Sequence, residues 1–150
     1  MPKQGFTIST DKSKLDLDYI HDYLANHSYW AAHIPKATVQ KSIEGSECFG
    51  VYYQDQQVGF GRVVTDKATF AYLCDVFIDK EYQGDGLGKW LIQTIMADSR
   101  LQGLRRWMLG TRDAHGLYEK SGFTALADPL RVMHRLDPDV YKKNKDLNGS

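Results

Sequence analysis

Features that would mark a metal protein, a disulfide scaffold or a membrane protein are scarce in this sequence. Its 150 residues hold two cysteines, Cys48 and Cys74, both in strand-patterned segments and neither spaced for metal binding with the other or with a histidine cluster. They read as buried thiols, and no disulfide is expected between them. The five histidines, His21, His27, His33, His115 and His134, include no i, i+4 pair and no His-Glu-x-x-His arrangement, so no metal site is indicated. No apolar run reaches the length of a membrane span, and Met1-Pro2-Lys3-Gln4-Gly5 leads into no apolar targeting core; a cytoplasmic location and no membrane partner are expected. Charge of one sign does not predominate either. Nineteen Lys and Arg balance nineteen Asp and Glu, which gives no ground for nucleic acid as a partner and requires any anion site to be local. Internal repeats and low-complexity stretches are absent.

The chain does hold enough apolar residues, 42%, to bury one sizeable core. One domain is expected over residues 1–136, followed by a polar tail, 137–150, without apolar periodicity apart from Val140 and Tyr141. Phe6–Ser9 is patterned as a strand, Ser13–Asn26 as a helix, and Pro35–Glu44 as a second helix stopped by Gly45. Cys48–Tyr53, Val58–Val64 and Thr69–Ile78 are strands joined by short polar turns, which predicts an antiparallel meander. A helix reaching to about Leu101, a strand at Arg106–Leu109, a helix over Asp113–Lys120, and a hairpin of Phe123–Ala127 with Leu130–Leu136 complete a mixed α/β (α+β) order.

The run from Asp75 to Lys89 is the most informative part of the chain. An apolar strand there breaks into Gln83-Gly84-Asp85-Gly86-Leu87-Gly88 and then opens a helix whose Leu87, Leu91 and Ile95 recur at i, i+4 and i+8. Glycines remove the side chains that would keep a ligand off the backbone. The helix N-terminus adds unpaired N–H groups and the positive end of its dipole, so this turn suits a phosphate. Lys89 adds either a cation for that phosphate or an ordinary solvated lysine.

Together with Leu117-Tyr118-Glu119-Lys120-Ser121-Gly122-Phe123 downstream, this glycine turn resembles the paired signatures of the acetyl-CoA-dependent N-acetyltransferases of the GNAT superfamily. The resemblance covers about Thr69 to Phe123. It implies the GNAT fold: a central, mostly antiparallel sheet, splayed between strands 4 and 5 and flanked by helices. It also implies an enzyme that transfers acetyl from acetyl-CoA to a primary amine, a small molecule or a peptide, by direct attack in a ternary complex. A non-catalytic acyl-CoA-binding sensor on the same fold is the alternative, and the architecture allows a homodimer.

The same resemblance distributes roles. Backbone amides of Gln83 to Lys89 would hold the pyrophosphate, and the edge of Val76, Phe77 and Ile78 would pair with the pantetheine arm and face the thioester oxygen. Tyr118 matches the tyrosine beside the sulfur, suited to protonate the leaving thiolate. Thr111 departs from the pattern: that position is frequently an asparagine that bonds the cofactor. Asp75, a carboxylate inside an apolar run, is a candidate base or amine anchor, or a structural residue at a bulge. Tyr29 and Trp30 border the expected acceptor site, where Arg62 and Asp66 are further candidates for contact.

Overall fold

The structure, a computed structural model, describes residues 4–143. Five strands, β1 (Phe6–Ser9), β2 (Glu47–Tyr53), β3 (Gln56–Thr65), β4 (Phe70–Ile78) and β5 (Arg106–Leu109), lie side by side in chain order. The first four are antiparallel, as their short polar turns require. Only β4 and β5 are parallel, because the chain between them crosses over through a helix. The mixed order is the one the patterning predicts, and the splay is the one the family resemblance implies.

Four helices flank the sheet: α1 (Leu17–His27), α2 (Lys36–Glu44), α3 (Leu87–Met96) and α4 (His115–Glu119). The first begins at Leu17 and not at Ser13, because Asp16 serves as its N-cap, accepting the Tyr19 N–H at 3.0 Å. Pro35 and Gly45 bound α2, as expected. Ile20, Leu24, Val39 and Ile43 of the first two helices pack with Cys48, Phe60 and Phe77 on one face of the sheet. Leu87, Leu91, Ile92 and Ile95 of α3 pack with Phe49, Val51, Val63 and Leu73 on the other.

β4 serves both faces by way of a bulge. Ala71 and Leu73 point to the α3 face, and simple alternation would send residue 75 there too. Instead Asp75 adopts a left-handed φ of 54°, and the β3–β4 register slips between Phe60 and Arg62. The extra residue inverts the alternation: Val76 and Ile78 now face α3, while Phe77 faces α1 and α2. The same inversion carries the Asp75 carboxylate to the face of α1 and α2, where its hydrogen-bond partners lie.

The β4–β5 ladder stops early. It joins Phe70–Leu73 to Arg106–Leu109 and no further, so from Cys74 to Ile78 the β5-facing edge of β4 has no strand partner among the described residues. The expected hairpin after Phe123 does not form. Pro129–Arg131 makes a single 3-10 turn, and the segments on either side make no ladder pairs, which leaves Leu130 and Met133 each 92% exposed. Of the expected tail, residues 137–143 are described: 140–143 form a helical turn from which Tyr141 packs against the α1–α2 core, and the rest lies outside the described residues. Among the described residues no helix is long and apolar enough to cross a membrane, and no three metal-ligating side chains converge.

Candidate active site

The glycine turn sits between the end of β4 and the start of α3. Gly84 and Gly86 have φ of 94° and 81°, a region that L side chains rarely adopt. Gly86 is the N-cap of α3 and has no capping side chain, so the N–H groups of the first turn, Leu87 to Lys89, lack a partner from the helix or from a cap. Leu87 is buried in the core and Lys89 is exposed. The Gln83 amide donates to the Ile78 carbonyl at 2.8 Å and ties the turn back to the strand. Asp85 lies exposed in the turn itself.

A Cβ added at Gly84 or Gly86 would meet no atom within 4 Å, so the space over the turn is open to a ligand. An uncapped helix N-terminus below open space fits a pyrophosphate. Gly86→Ala should therefore cost only about 1 kcal/mol of stability, the backbone penalty for a left-handed alanine. Coenzyme A affinity should fall independently, about tenfold or more, because the methyl enters the ligand's space. Calorimetry and thermal melting on the one variant separate the two effects.

From this turn the edge of Val76, Phe77 and Ile78, which has no strand partner among the described residues, leads toward Asp75. The Phe77 ring is 4% exposed and stacks on Tyr23, with centroids 3.8 Å apart at 6°. Ile78 is also buried, so this segment offers a ligand its backbone.

Where β4 and β5 part, a cavity of about 450 Å³ opens between Cys74, Asp75 and Val76 on one side and Gly110 to Ala114 on the other, with Tyr29, Trp30 and Tyr118 also lining it. Tyr118 additionally borders a second cavity of about 310 Å³ beside β5, which includes His115. Burial, aided by neighbouring Tyr29, pushes the Tyr118 hydroxyl up to about 12. Burial likewise raises the Cys74 thiol to about 12 and the Cys48 thiol to about 11, so neither is a thiolate near neutral pH.

Asp75 is 9% exposed and engaged at both oxygens. Trp30 donates its indole N–H to Oδ1 at 2.8 Å, and Arg62 donates Nε–H to Oδ2 at 2.8 Å. Arg62 in turn donates from Nη1 to the Ser46 hydroxyl at 2.9 Å. Arg62 thus stands behind Asp75 in an ion pair and is absent from the cavity lining. Asp66 is occupied in the β3–β4 turn, accepting from the N–H groups of Ala68, Thr69 and Phe70. Thr111 accepts the Ala114 N–H at 3.0 Å and shapes the loop into α4. Tyr29 accepts the Arg112 backbone N–H at 3.0 Å and meets Trp30 edge-on at 5.1 Å.

Residues 44–125 match the acetyltransferase (GNAT) domain family. A curated Gibberella zeae protein assigned to the acetyltransferases is 34% identical, with 77% of each chain covered. The chain belongs to the GNAT family. A Xanthomonas campestris GNAT protein of known structure is 48% identical, superposes with a TM-score of 0.90, and covers 94% of this chain and 98% of that one. A GNAT acetyltransferase from Elizabethkingia anophelis, solved with acetyl-CoA bound, shares the fold at 17% identity and a TM-score of 0.61, over 81% of this chain and 78% of that one.

Within this GNAT cavity stand residues that motif reading passes over. Arg112 and Asp113 line it directly. Their place just after Thr111, in the loop preceding the tyrosine signature, was the available signal. Tyr141, which lines the neighbouring cavity with Tyr29 and Trp30, comes from a segment whose pattern carries almost no information. Tyr72, two residues before Cys74, lines the cavity at the splay as well.

Proposed function

We propose that this protein is an N-acetyltransferase that moves an acetyl group from acetyl-CoA to a primary amine, a small molecule or a peptide, by direct attack in a ternary complex. The observation that carries this reading is the arrangement around the splay of the sheet: an uncapped glycine turn with open space over it begins α3, β4 has no strand partner beyond Leu73 on its β5 side among the described residues, and Tyr118 lines the cavity that Asp75 and Val76 border. Acetyl-CoA, when bound, supplies an acetyl group already activated as a thioester.

The chain's own residues supply position and proton handling. First-turn amides of α3 fix the pyrophosphate end, and backbone groups of Val76 to Ile78 align the arm toward Tyr118. An N–H of the same edge stabilises charge developing on the acetyl oxygen. Tyr118, protonated throughout the physiological range, gives its proton to the departing sulfur and is reprotonated by the nitrogen that attacked as a neutral amine, so one proton passes in net from nitrogen to sulfur. Asp75, with both oxygens already committed, is an anchor that fixes Trp30 and Arg62 at the acceptor wall, and its remaining lone pairs can take an ammonium. The raised thiols of Cys48 and Cys74 favour direct attack over an acyl-cysteine.

A panel of primary amines with acetyl-CoA tests this reading. Free thiol should appear together with a mass-identified N-acetyl product. Tight coenzyme A binding without acetylation of any amine would instead favour a sensor.

A further inference from the structure

The cavity at the splay is lined by one arginine, Arg112, whose side chain is 66% exposed and whose guanidinium rests on an aromatic ring with its hydrogen-bonding edge not used among the described residues. The Arg112 guanidinium lies over the Tyr29 ring, 3.8 Å from its centroid, and the backbone N–H of the same residue is bonded to the Tyr29 hydroxyl. The residue is therefore held at two points on one aromatic ring. Its closest carboxylate among the described residues is that of Asp113, at 3.9 Å and 69% exposed, too far for a hydrogen bond. A guanidinium centred over a ring still carries N–H groups that can meet a planar or tetrahedral anion.

Charge around this point is uneven. Asp75 and Arg62 cancel each other deep in the wall. A neighbouring cavity of about 610 Å³ shares Tyr29 and Trp30 with the first and adds Arg135, Lys142 and Asp137. Lys143 holds Asp137 at 3.3 Å. Arg112, Arg135, Lys142 and Lys143 outweigh Asp113 and Asp137 around the two cavities, although the chain as a whole is neutral. Tyr29, which carries the guanidinium, also borders Tyr118 closely enough to raise its hydroxyl. Arg112, Tyr29 and Tyr118 thus line the same cavity.

We infer that the acceptor is an amine that also carries an anionic group, a carboxylate or a phosphate, and that Arg112 binds that group. This rests on the acetyl-transfer reading above and adds the substrate class to it. The amine goes to the reacting end beside Tyr118, and the anion goes to the guanidinium on Tyr29. Arg112 is a specificity-determining residue in this scheme and takes no part in proton transfer.

The test compares three matched primary amines, a neutral alkylamine, an ω-amino carboxylic acid and an aminoalkyl phosphate, as acetyl acceptors of the full chain and of Arg112→Gln and Arg112→Lys. Each amine is also titrated calorimetrically into protein saturated with coenzyme A. At least one anionic amine should exceed the neutral amine about tenfold or more in kcat/KM and in affinity, as one charge-assisted contact provides. The ratio between the two anionic amines tells carboxylate from phosphate. In Arg112→Gln the preference should collapse toward one, through KM and not kcat, and Arg112→Lys should restore part of it.

Equal binding of neutral and anionic amines by the unaltered chain overturns the inference, and so does a preference that survives in Arg112→Gln. A weakened affinity for coenzyme A itself in Arg112→Gln also overturns it, by assigning the residue to the cofactor. Failure to acetylate any amine sinks the underlying reading alone, since the calorimetric preference still decides the role of Arg112.

Discussion

Tyr118→Phe is expected to lower kcat about 10²- to 10³-fold while coenzyme A affinity stays within about twofold. The substitution removes one oxygen and keeps the ring that meets Phe123 edge-on at 6.1 Å, so the fold should hold. What disappears is the proton for the departing sulfur. With its hydroxyl pushed up to about 12 by burial and by Tyr29, Tyr118 remains protonated wherever the enzyme can be assayed. Its titration can therefore produce a falling limb only near pH 12, where the donor loses its proton. Below that, kcat/KM should rise with pH as the acceptor amine, near about 10 when free, becomes neutral. A pH–rate profile that falls between about 8 and 10 would contradict a Tyr118 donor with this titration. Full activity in Tyr118→Phe would remove the residue from the mechanism.

Asp75→Ala should cost about 3 kcal/mol or more of stability, because it strands Arg62 as an unpaired cation below the surface. The two side chains are 9% and 17% exposed, which places the pair in the buried class where removing one partner is expensive. Trp30 loses its acceptor at the same time. The left-handed backbone at Asp75 adds a further penalty for alanine that asparagine largely avoids. Asp75→Asn is thus the informative companion: it keeps the backbone and an acceptor for Trp30 but removes the charge. Denaturant unfolding of Asp75→Ala, Arg62→Met and the double variant should give a double variant less destabilised than the sum of the singles. Strict additivity would mean that the ion pair does not couple these residues. In kinetics, an anchoring Asp75 predicts that Asp75→Asn acts mainly on the amine KM; a loss confined to kcat would return it to the role of base.

How much of this was legible beforehand depended on the range of the interaction. Phe6–Ser9 and Arg106–Leu109 are strands with the bounds their patterning predicts, and the turn at Gly84 and Gly86 is in place, because alternation, glycine freedom and helix periodicity act over a few neighbours. The splay was anticipated only through the family resemblance. It is a property of the β4–β5 ladder ending at Leu73 and Leu109. Asp75 stood out as a carboxylate in an apolar run, yet its pairing with Arg62 depends on how β3 and β4 lie side by side, and its orientation depends on a bulge that no single residue type announces. Arg112 was marked only by its place after Thr111, because Tyr29, which holds it, is 83 positions away in the chain. Conversely, the alternation in Leu130–Leu136 promised a strand that the structure does not pair, since alternation describes a face without supplying a neighbour for it.

The central claim is that one groove brings acetyl-CoA and an amine together for direct transfer. Intact-mass analysis of the protein mixed with acetyl-CoA, before and after a primary amine is added, addresses it in a single experiment, with free thiol followed in parallel. The predicted result is an unmodified protein and no thiol release before the amine, then thiol release matched by N-acetylated amine. An acetyl adduct on the protein formed before the amine is added, and discharged when it arrives, would contradict it.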